Sequence, residues 1–348
     1  MKRMLFLFAI LVNCLVGGLF ASFAGFSPVV GAVGMNVVAA FGQYIAPQGV
    51  LRAGLYAEIW TGETIKAFRN SIESIGWLNK IRSFDSQVAN NNTINFVDLG
   101  GDPTVLLNNS TYPIGVETLA DANKAITLDK YQTKASIITD DEARGLSYDK
   151  MGSVIERHRE AVDEKKIAKA LHALAPAGDG AKTPVLVTTG ATDGTRKRLT
   201  VADVIALKSK FDAMKVPVPG RMLVLCPEHV NDLLVQDTNF AQRYNNTTTG
   251  KIADMYGFEI YEFVDTPVYK VSTKAKVAFG TAPTASTDRN ASVAFYAPRM
   301  MKATGETKAY IDEPDTQNQV WRYNLRHYFV ALPLKEEAIG ALVSGIAS

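Results

Sequence analysis

The chain has 348 residues, 47 % of them hydrophobic and 21 % charged, with a net charge of +2. That is the profile of an ordinary folded protein with enough chain for a sizeable core, and it gives no sign of a dedicated nucleic-acid binder. The only cysteines, Cys14 and Cys226, allow no disulfide framework and no zinc spacing, and Cys226 reads as a small buried hydrophobe.

The chain opens with Lys2 and Arg3, a long apolar run and then small residues, "MKRMLFLFAILVNCLVGGLFASFAGF". Three readings stand side by side: an export signal, an internal arm packed against neighbours, or a start placed too early with translation beginning near Met35. "LVNC" is a poor lipoprotein box. No later segment is apolar enough to span a membrane.

Residues 61–79 predict an amphipathic helix, with Ile65, Phe68, Ile72 and Ile75 repeating at three and four and Thr61 as cap. "NNTINFVDL" predicts a strand with Ile94 and Phe96 on one side, and Gly100 to Pro103 then break it. No strong periodicity follows as far as Asn123, so this stretch reads as an irregular tip. The chain returns as a strand over Ile126 to Ile138, whose apolar phase slips between Leu128 and Tyr131; a bulge near Asp129 accounts for the slip. Residues 90–138 thus predict a long two-stranded arm. Such a ribbon is marginal alone in water, so Ile94, Phe96, Ile126 and Leu128 are expected to find their cover on another surface.

Thr139 to Glu142 is a cap cluster ahead of a helix of about 25 residues, about 37 Å long. Met151, Val154, Ile155, Val162, Ile167, Leu171 and Leu174 give it a narrow apolar stripe, so one side packs and the other meets solvent or a partner. Pro176 and Gly178 end it. Residues 181–290 alternate shorter elements: the helix "TVADVIALKSKFDAM", the strand "RMLVLC", a helix with Pro227 at its first position, and the strand "GFEIYEFV". "WRYNLRHYF" alternates cleanly, with Trp321, Tyr323, Leu325, His327 and Phe329 on one face of a half-buried strand. The tail from 333 onward is short and apolar and is expected to close onto the α/β part.

Chemistry is sparse. There is no HExxH, GxSxG or GxGxxG pattern. "NNTTTGKIAD" has Asn245 and Ile252 where a phosphate loop needs Gly and Ser or Thr, and reads as a Gly-containing loop before a short helix. His158, near Glu160 and Asp163, reads as an ordinary hydrogen-bonded helix-face histidine, and His327 as a satisfied core histidine. Arg196 to Arg198 reads as a solvated turn. Of the acidic clusters, 140–142 reads as capping and 312–315 as a loop with at most weak metal affinity. No catalytic residue, cofactor site or metal site is expected.

The order of parts, carried by "TINFVDL…AITLDKYQTKASIITDDEARGLSYDKM", "SVIERHREAVDEKKIAKALHALAP", "RMLVLCPEHVNDLLVQDTNF…GKIADMYGFEIYEF" and "VAFYAPRMMKATGETKAYIDEPDTQNQVWRYNLRHYFVALP", resembles the major capsid protein of tailed double-stranded DNA bacteriophages, the Hong Kong 97-like fold. The resemblance covers about residues 55–348. It implies an α+β chain divided into an apolar N-terminal arm or targeting segment (1–54), a first part of a peripheral domain (55–89), an E-loop hairpin (90–138), the spine helix of the peripheral domain (139–180), an axial α/β domain (181–290), a β return (291–332) and a closing segment (333–348). It further implies intersubunit contact through Ile94, Phe96, Ile126, Leu128, Lys130, Tyr131 and Lys134, with Val154, Ile155, His158, Val162, Ile167 and Leu171 along the spine. The implied function is a non-enzymatic icosahedral shell around the phage genome, in the virion and assembled in the host cytoplasm. The implied partners are itself, in hexamers and pentamers, scaffolding and portal proteins, and packaged DNA held weakly and without sequence preference; no stable membrane association is implied. An export signal would conflict with cytoplasmic assembly, so residues 1–34 would be untranslated or kept as an internal arm.

Two features depart from the family: residues 1–50 do not look like a charged cleavable scaffolding domain, and no pairing can be aligned for the isopeptide crosslink some members form, for which Lys124, Lys130 and Lys134 with Asn318 or Asn324 are the available residues. An encapsulin-like nanocompartment shell and an exported binding protein are the alternative readings. The first would show a peptide-binding inner face and the second a cleaved, exported monomer.

Overall fold

The computed structural model describes residues 14–16, 18–19, 21–23, 25, 27–34, 36, 76–88, 92–98, 103–118, 122–145, 149–244, 251–314 and 317–347. The chain divides into two units, 1–65 and 66–348. In the first, the described residues are helical on both sides of a turn at Gly25, whose φ of +79° suits glycine. The Asn36 amide lies 3.2 Å from Cys14 Sγ, so the second stretch returns beside the first. Among the described residues no helix is long and apolar enough to cross a membrane. The helix expected over 61–79 lies outside the described residues except for Gly76–Asn79, which is helical.

The second unit is built on a mixed sheet of eight strands. Lys251–Met255, Phe258–Glu262, Arg221–Leu225 and Asp288–Tyr296 lie side by side, and Ile339–Val343 and Val185–Val187 continue the row beyond Asp288–Tyr296. Val268–Lys270 and Ala275–Lys276 extend it at the start of Asp288–Tyr296. All five residues of Arg221–Leu225 and of Ile339–Val343 are buried, because both faces are covered. Side chains alternate across the sheet. Leu223 and Leu225 join Val204, Leu207, Phe211 and Leu233 of the helices Val201–Ala213 and Pro227–Gln236. Met222 and Val224 face the other way, toward Trp77, Ile167, Leu171 and Leu174.

The apolar tail is thus a central strand of this sheet. The β return expected from residue 291 begins later, at Met300: Asp288–Tyr296 runs through position 291 and belongs to the central sheet. The Gly-containing loop leads into the strand Lys251–Met255, not a helix; residues 245–250 lie outside the described residues.

A second sheet of five strands is organised by the long hairpin Met300–Asp312 and Val320–Pro333. Arg82–Ser83 lies along one edge, and Asp129–Gln132 and Ser136–Thr139 pair with successive parts of Val320–Pro333 on the other. The helix Lys150–Leu174 lies across it, with Asp149 capping its start through the Gly152 N–H. Its first half packs Val154 and Val162 on Tyr323, Leu325 and Ile138; its second half carries Ile167, Leu171 and Leu174 into the cluster beneath the central sheet. The inward alternation of Tyr323, Leu325, His327 and Phe329 matches the sequence reading.

The strand expected over 126–138 is not one element. Ala122–Thr127 pairs with Thr93–Asp98 in a separate ribbon; Leu128 N donates to Asn92 O, and from Asp129 the chain pairs with Val320–Pro333 instead. The phase slip marks a change of partner sheet. Ile94, Ile126 and Leu128, expected to need another subunit, are 1 %, 6 % and 4 % exposed within their own. They pack with Met301, Ala303 and Val330, on the face of the hairpin opposite the long helix. At this junction the hairpin register shifts between Thr304 and Thr307, and a Cβ on Gly305 would sit 2.9 Å from both Tyr328 Cβ and Asn92 Oδ1. Only glycine lets the ribbon base approach so closely.

His229 ties the central sheet to its helix layer. It is 0 % exposed, with Nδ1 2.7 Å from Ser292 Oγ and Nε2 2.9 Å from Ser344 Oγ. Burial pushes its pKa down to about 4, against the opposing pull of Asp232. A second tie is Arg196, expected in a solvated turn. It is 15 % exposed in its side chain and holds Asp232 through contacts of 2.6 and 2.9 Å, and that hydrogen bond raises its pKa.

Two outcomes follow for the unassembled subunit. Ile94→Ala should cost about 2–5 kcal/mol, whereas Val105→Ala, at a position 79 % exposed, should stay within about 0.5 kcal/mol; equal urea midpoints for the two would contradict the assignment of the ribbon base to the core. For His229 the folded pKa lies below the unfolded value of about 6.5, so the unfolded chain binds more protons between the two. Its contribution is complete above about pH 6.5 and is lost as pH falls toward 4, on the order of 3 kcal/mol in all. His158, His172 and His327 are also shifted down, chiefly by burial, and act in the same direction. Replacing His229 by Gln should therefore flatten, not abolish, the fall in stability between pH 7 and 4.5; superimposable slopes would refute the role given to it.

Candidate assembly surface

The ribbon Thr93–Asp98 and Ala122–Thr127 pairs Ile94 with Ile126, Phe96 with Lys124 and Asp98 with Ala122. Its base is fixed to the subunit, and Phe96 meets Phe84 edge-on with ring centroids 5.1 Å apart. Beyond it, the described residues 103–118 form no helix or strand. Val105, Leu106, Leu107, Tyr112, Ile114 and Val116 there are 53–98 % exposed. Local hydrogen bonds shape this tip: Thr104 N donates to Glu117 Oε2 at 2.9 Å, and Asn109 bonds the backbone of Thr111 in both directions. Accepting the Thr104 bonds lowers the Glu117 pKa. From 99 to 121 the sequence carries Asp102, Glu117 and Asp121 and no Lys or Arg. An exposed apolar surface of this size on a self-shaped loop is the kind that mediates contact between chains.

Where the ribbon joins the subunit there is a groove of about 400 Å³. Phe84, Phe96, Ile126 and Leu334 line it with apolar surface, and Arg82, Lys124, Arg299 and Lys335 supply its cations. Arg82 stacks over the Phe84 ring at 5.1 Å and Arg299 pairs with Glu337 at 3.0 Å. Among the described residues, neither Arg82 nor Lys124 has an acidic partner.

Of the expected contact residues, Phe96 alone combines partial exposure with a place on the ribbon. Lys130, Tyr131 and Lys134 belong to the hairpin sheet and the loop after Asp129–Gln132, not to the arm. Tyr131 faces the long helix, under Lys169, and its pKa rises through burial and then the Asp129 charge. Lys130 lies on the opposite face beside Tyr328. Of the three candidate crosslinking lysines only Lys124 rides on the ribbon.

Along the long helix Val154, Val162, Ile167 and Leu171 are buried and Ile155 is half-buried, packed against the same cluster. His158 is buried, with Thr133 Oγ1 2.7 Å from Nδ1 and Ser136 Oγ 2.8 Å from Nε2; it bonds the neighbouring strand region, not Glu160 or Asp163. His327 Nδ1 lies 2.7 Å from Thr307 Oγ1, while its Nε2 finds no partner among the described residues, so it is only half satisfied there. The acidic cluster at 140–142 caps its helix, through reciprocal bonds of Thr139 and Glu142. Asp312 pairs with Arg322 at 3.1 Å, and Asp315 lies outside the described residues. Among the described residues no group of three or more His, Cys, Asp or Glu is arranged to hold a metal.

The sequence reading places the irregular tip at the end of the contact arm but does not single out the six large apolar residues within 105–116, which stand in a stretch without Lys or Arg. The groove joins residues from five separate segments and has no local signal.

Comparison with known proteins accords with this architecture. A model of the phage capsid protein family matches residues 120–343. No curated protein matches the chain. Among solved structures, a chain from Mycobacterium phage Che8 superposes with a TM-score of 0.55 at 13 % identity, covering 83 % of this chain and 97 % of that one. The capsid of a native GTA particle gives 0.59 at 11 % identity, covering 86 % and 99 %. The capsid of Ralstonia phage GP4 gives 0.59 at 10 % identity, covering 85 % and 96 %. At such identities the superpositions speak for the fold, and the family match, over well more than half of the chain, speaks for the family. The chain therefore belongs to the phage capsid protein family: it is a major capsid protein with the Hong Kong 97-like fold.

Proposed function

We propose that the chain assembles into hexamers and pentamers of an icosahedral shell around a double-stranded DNA genome, with the loop arm as its clasp on the next subunit. The observation that carries this is the exposed apolar tip at 103–118. Burying each of its large side chains is worth roughly 1.5–3 kcal/mol, and a closed symmetric shell repeats that gain at every subunit. In this reading the arm is the ribbon plus its tip. The hairpin sheet with the long helix is the peripheral domain, and the eight-stranded sheet is the axial domain. The place of work is the virion capsid, built in the host cytoplasm with scaffolding and portal proteins as partners. A net charge of +2 leaves little drive for tight phosphate binding, so packaged DNA is held weakly and without sequence preference.

Replacing residues 104–117 by a short Gly-Ser turn should leave the subunit folded, its melting midpoint nearly unchanged, and incapable of forming shells by negative-stain electron microscopy. Unfolding of this variant would place the tip in the subunit core, and normal shells would remove it as the clasp. Fluorescence anisotropy with a short duplex at 150 mM salt should show no saturable binding; a salt-resistant, sequence-specific complex is incompatible with the weak wall contact.

A further inference from the structure

We propose that the groove at the ribbon base is the seat for the tip of a second copy's arm. The inference rests on the clasp reading above and adds to it the receiving surface. Three properties of the two surfaces match. The tip is apolar, and so is the groove lining of Phe84, Phe96 and Leu334. The stretch 99–121 carries three acids and no base, while Arg82 and Lys124 beside the groove lack acidic partners among the described residues. The volume, about 400 Å³, lies within the range of roughly 300–1,000 Å³ that seats a compact ligand, enough for a few side chains of the tip but not all six, so the remainder lie against its walls. Within one subunit no described tip residue lines the groove. Seating a neighbour's tip there places each arm across the root of the next. One arm's docking then covers Phe96 and Lys124 of the following ribbon, and around a ring of copies the contact closes on itself.

Charge complementarity at the edge of such a contact acts mainly on encounter and register. Lys124→Glu should therefore slow shell formation about tenfold at low salt, and Glu117→Lys in the same chain should restore at least half of the rate. Lys124→Ser, with a smaller slowing, guards against a folding defect, since all variants must keep the wild-type melting midpoint. The full chain carrying photoreactive p-benzoylphenylalanine at position 107, mixed from light and 15N-labelled subunits, should crosslink between unlike labels, with the adducts in segments 82–97, 124–126 or 334–335. Crosslinks confined to like labels would mean that the arm folds onto its own root, and adducts elsewhere would mean another seat; either overturns the proposal. If tip replacement stops assembly while Lys124→Glu leaves its rate unchanged, the groove assignment falls and the clasp stands. If tip replacement also leaves assembly unchanged, both fall.

Discussion

The long helix Lys150–Leu174 cannot bury its apolar stripe against one sheet alone. Val154 and Val162 need the long hairpin, and Ile167, Leu171 and Leu174 need the underside of the eight-stranded sheet. One continuous run of backbone hydrogen bonds therefore fixes the two sheets relative to each other, because a helix of this length bends little. Lys276 secures the far end. Its Nζ donates to His172 O and Ala175 O at 2.7 and 2.6 Å, a cation on the carbonyl end of the helix. Burial lowers its pKa to about 8, so the cap is charged at neutral pH.

From that constraint comes the division of labour in the subunit. With one face of the hairpin taken by the helix, the other is free to anchor the ribbon. Ile94, Ile126 and Leu128 close over Met301, Ala303 and Val330, and the ribbon gains a rigid root. A two-stranded ribbon needs such a root to be ordered in water. Past Asp98 and Ala122 the root ends, and the large apolar side chains described within 105–116 are exposed. The same excursion of chain thus has a buried base, which serves the fold of the subunit, and an exposed apolar tip, which under the proposed function serves association.

Period and punctuation made much of this readable from sequence. The helix stripe, the alternation from Tyr323 to Phe329 and Pro227 at a helix start are local patterns, and each produces its element through short-range geometry. What could not be read was partner choice. The slip in apolar phase at Leu128 was visible, but a bulge and a change of sheet leave the same trace in sequence. Only the pairing of Asp129–Gln132 with Val320–Pro333, nearly two hundred residues away, separates them. The same holds for Arg196, whose partner Asp232 lies on a helix three elements later, and for His158, whose hydroxyl partners Thr133 and Ser136 precede the helix that carries it. The groove is the extreme case, since five segments meet there and none announces it.

The hairpin is not covered evenly along its length. Near Met301 and Val330 it is a three-layer slab, with helix below and ribbon root above. Toward Asp312 and Arg322 no described element packs on its upper side, which carries Arg326 between the rings of Tyr310 and Tyr328 at 5.3 and 5.4 Å. Three layers resist bending more than the two, helix and hairpin, found around Tyr323, so the end that carries the root of the arm is the stiffer end of the hairpin.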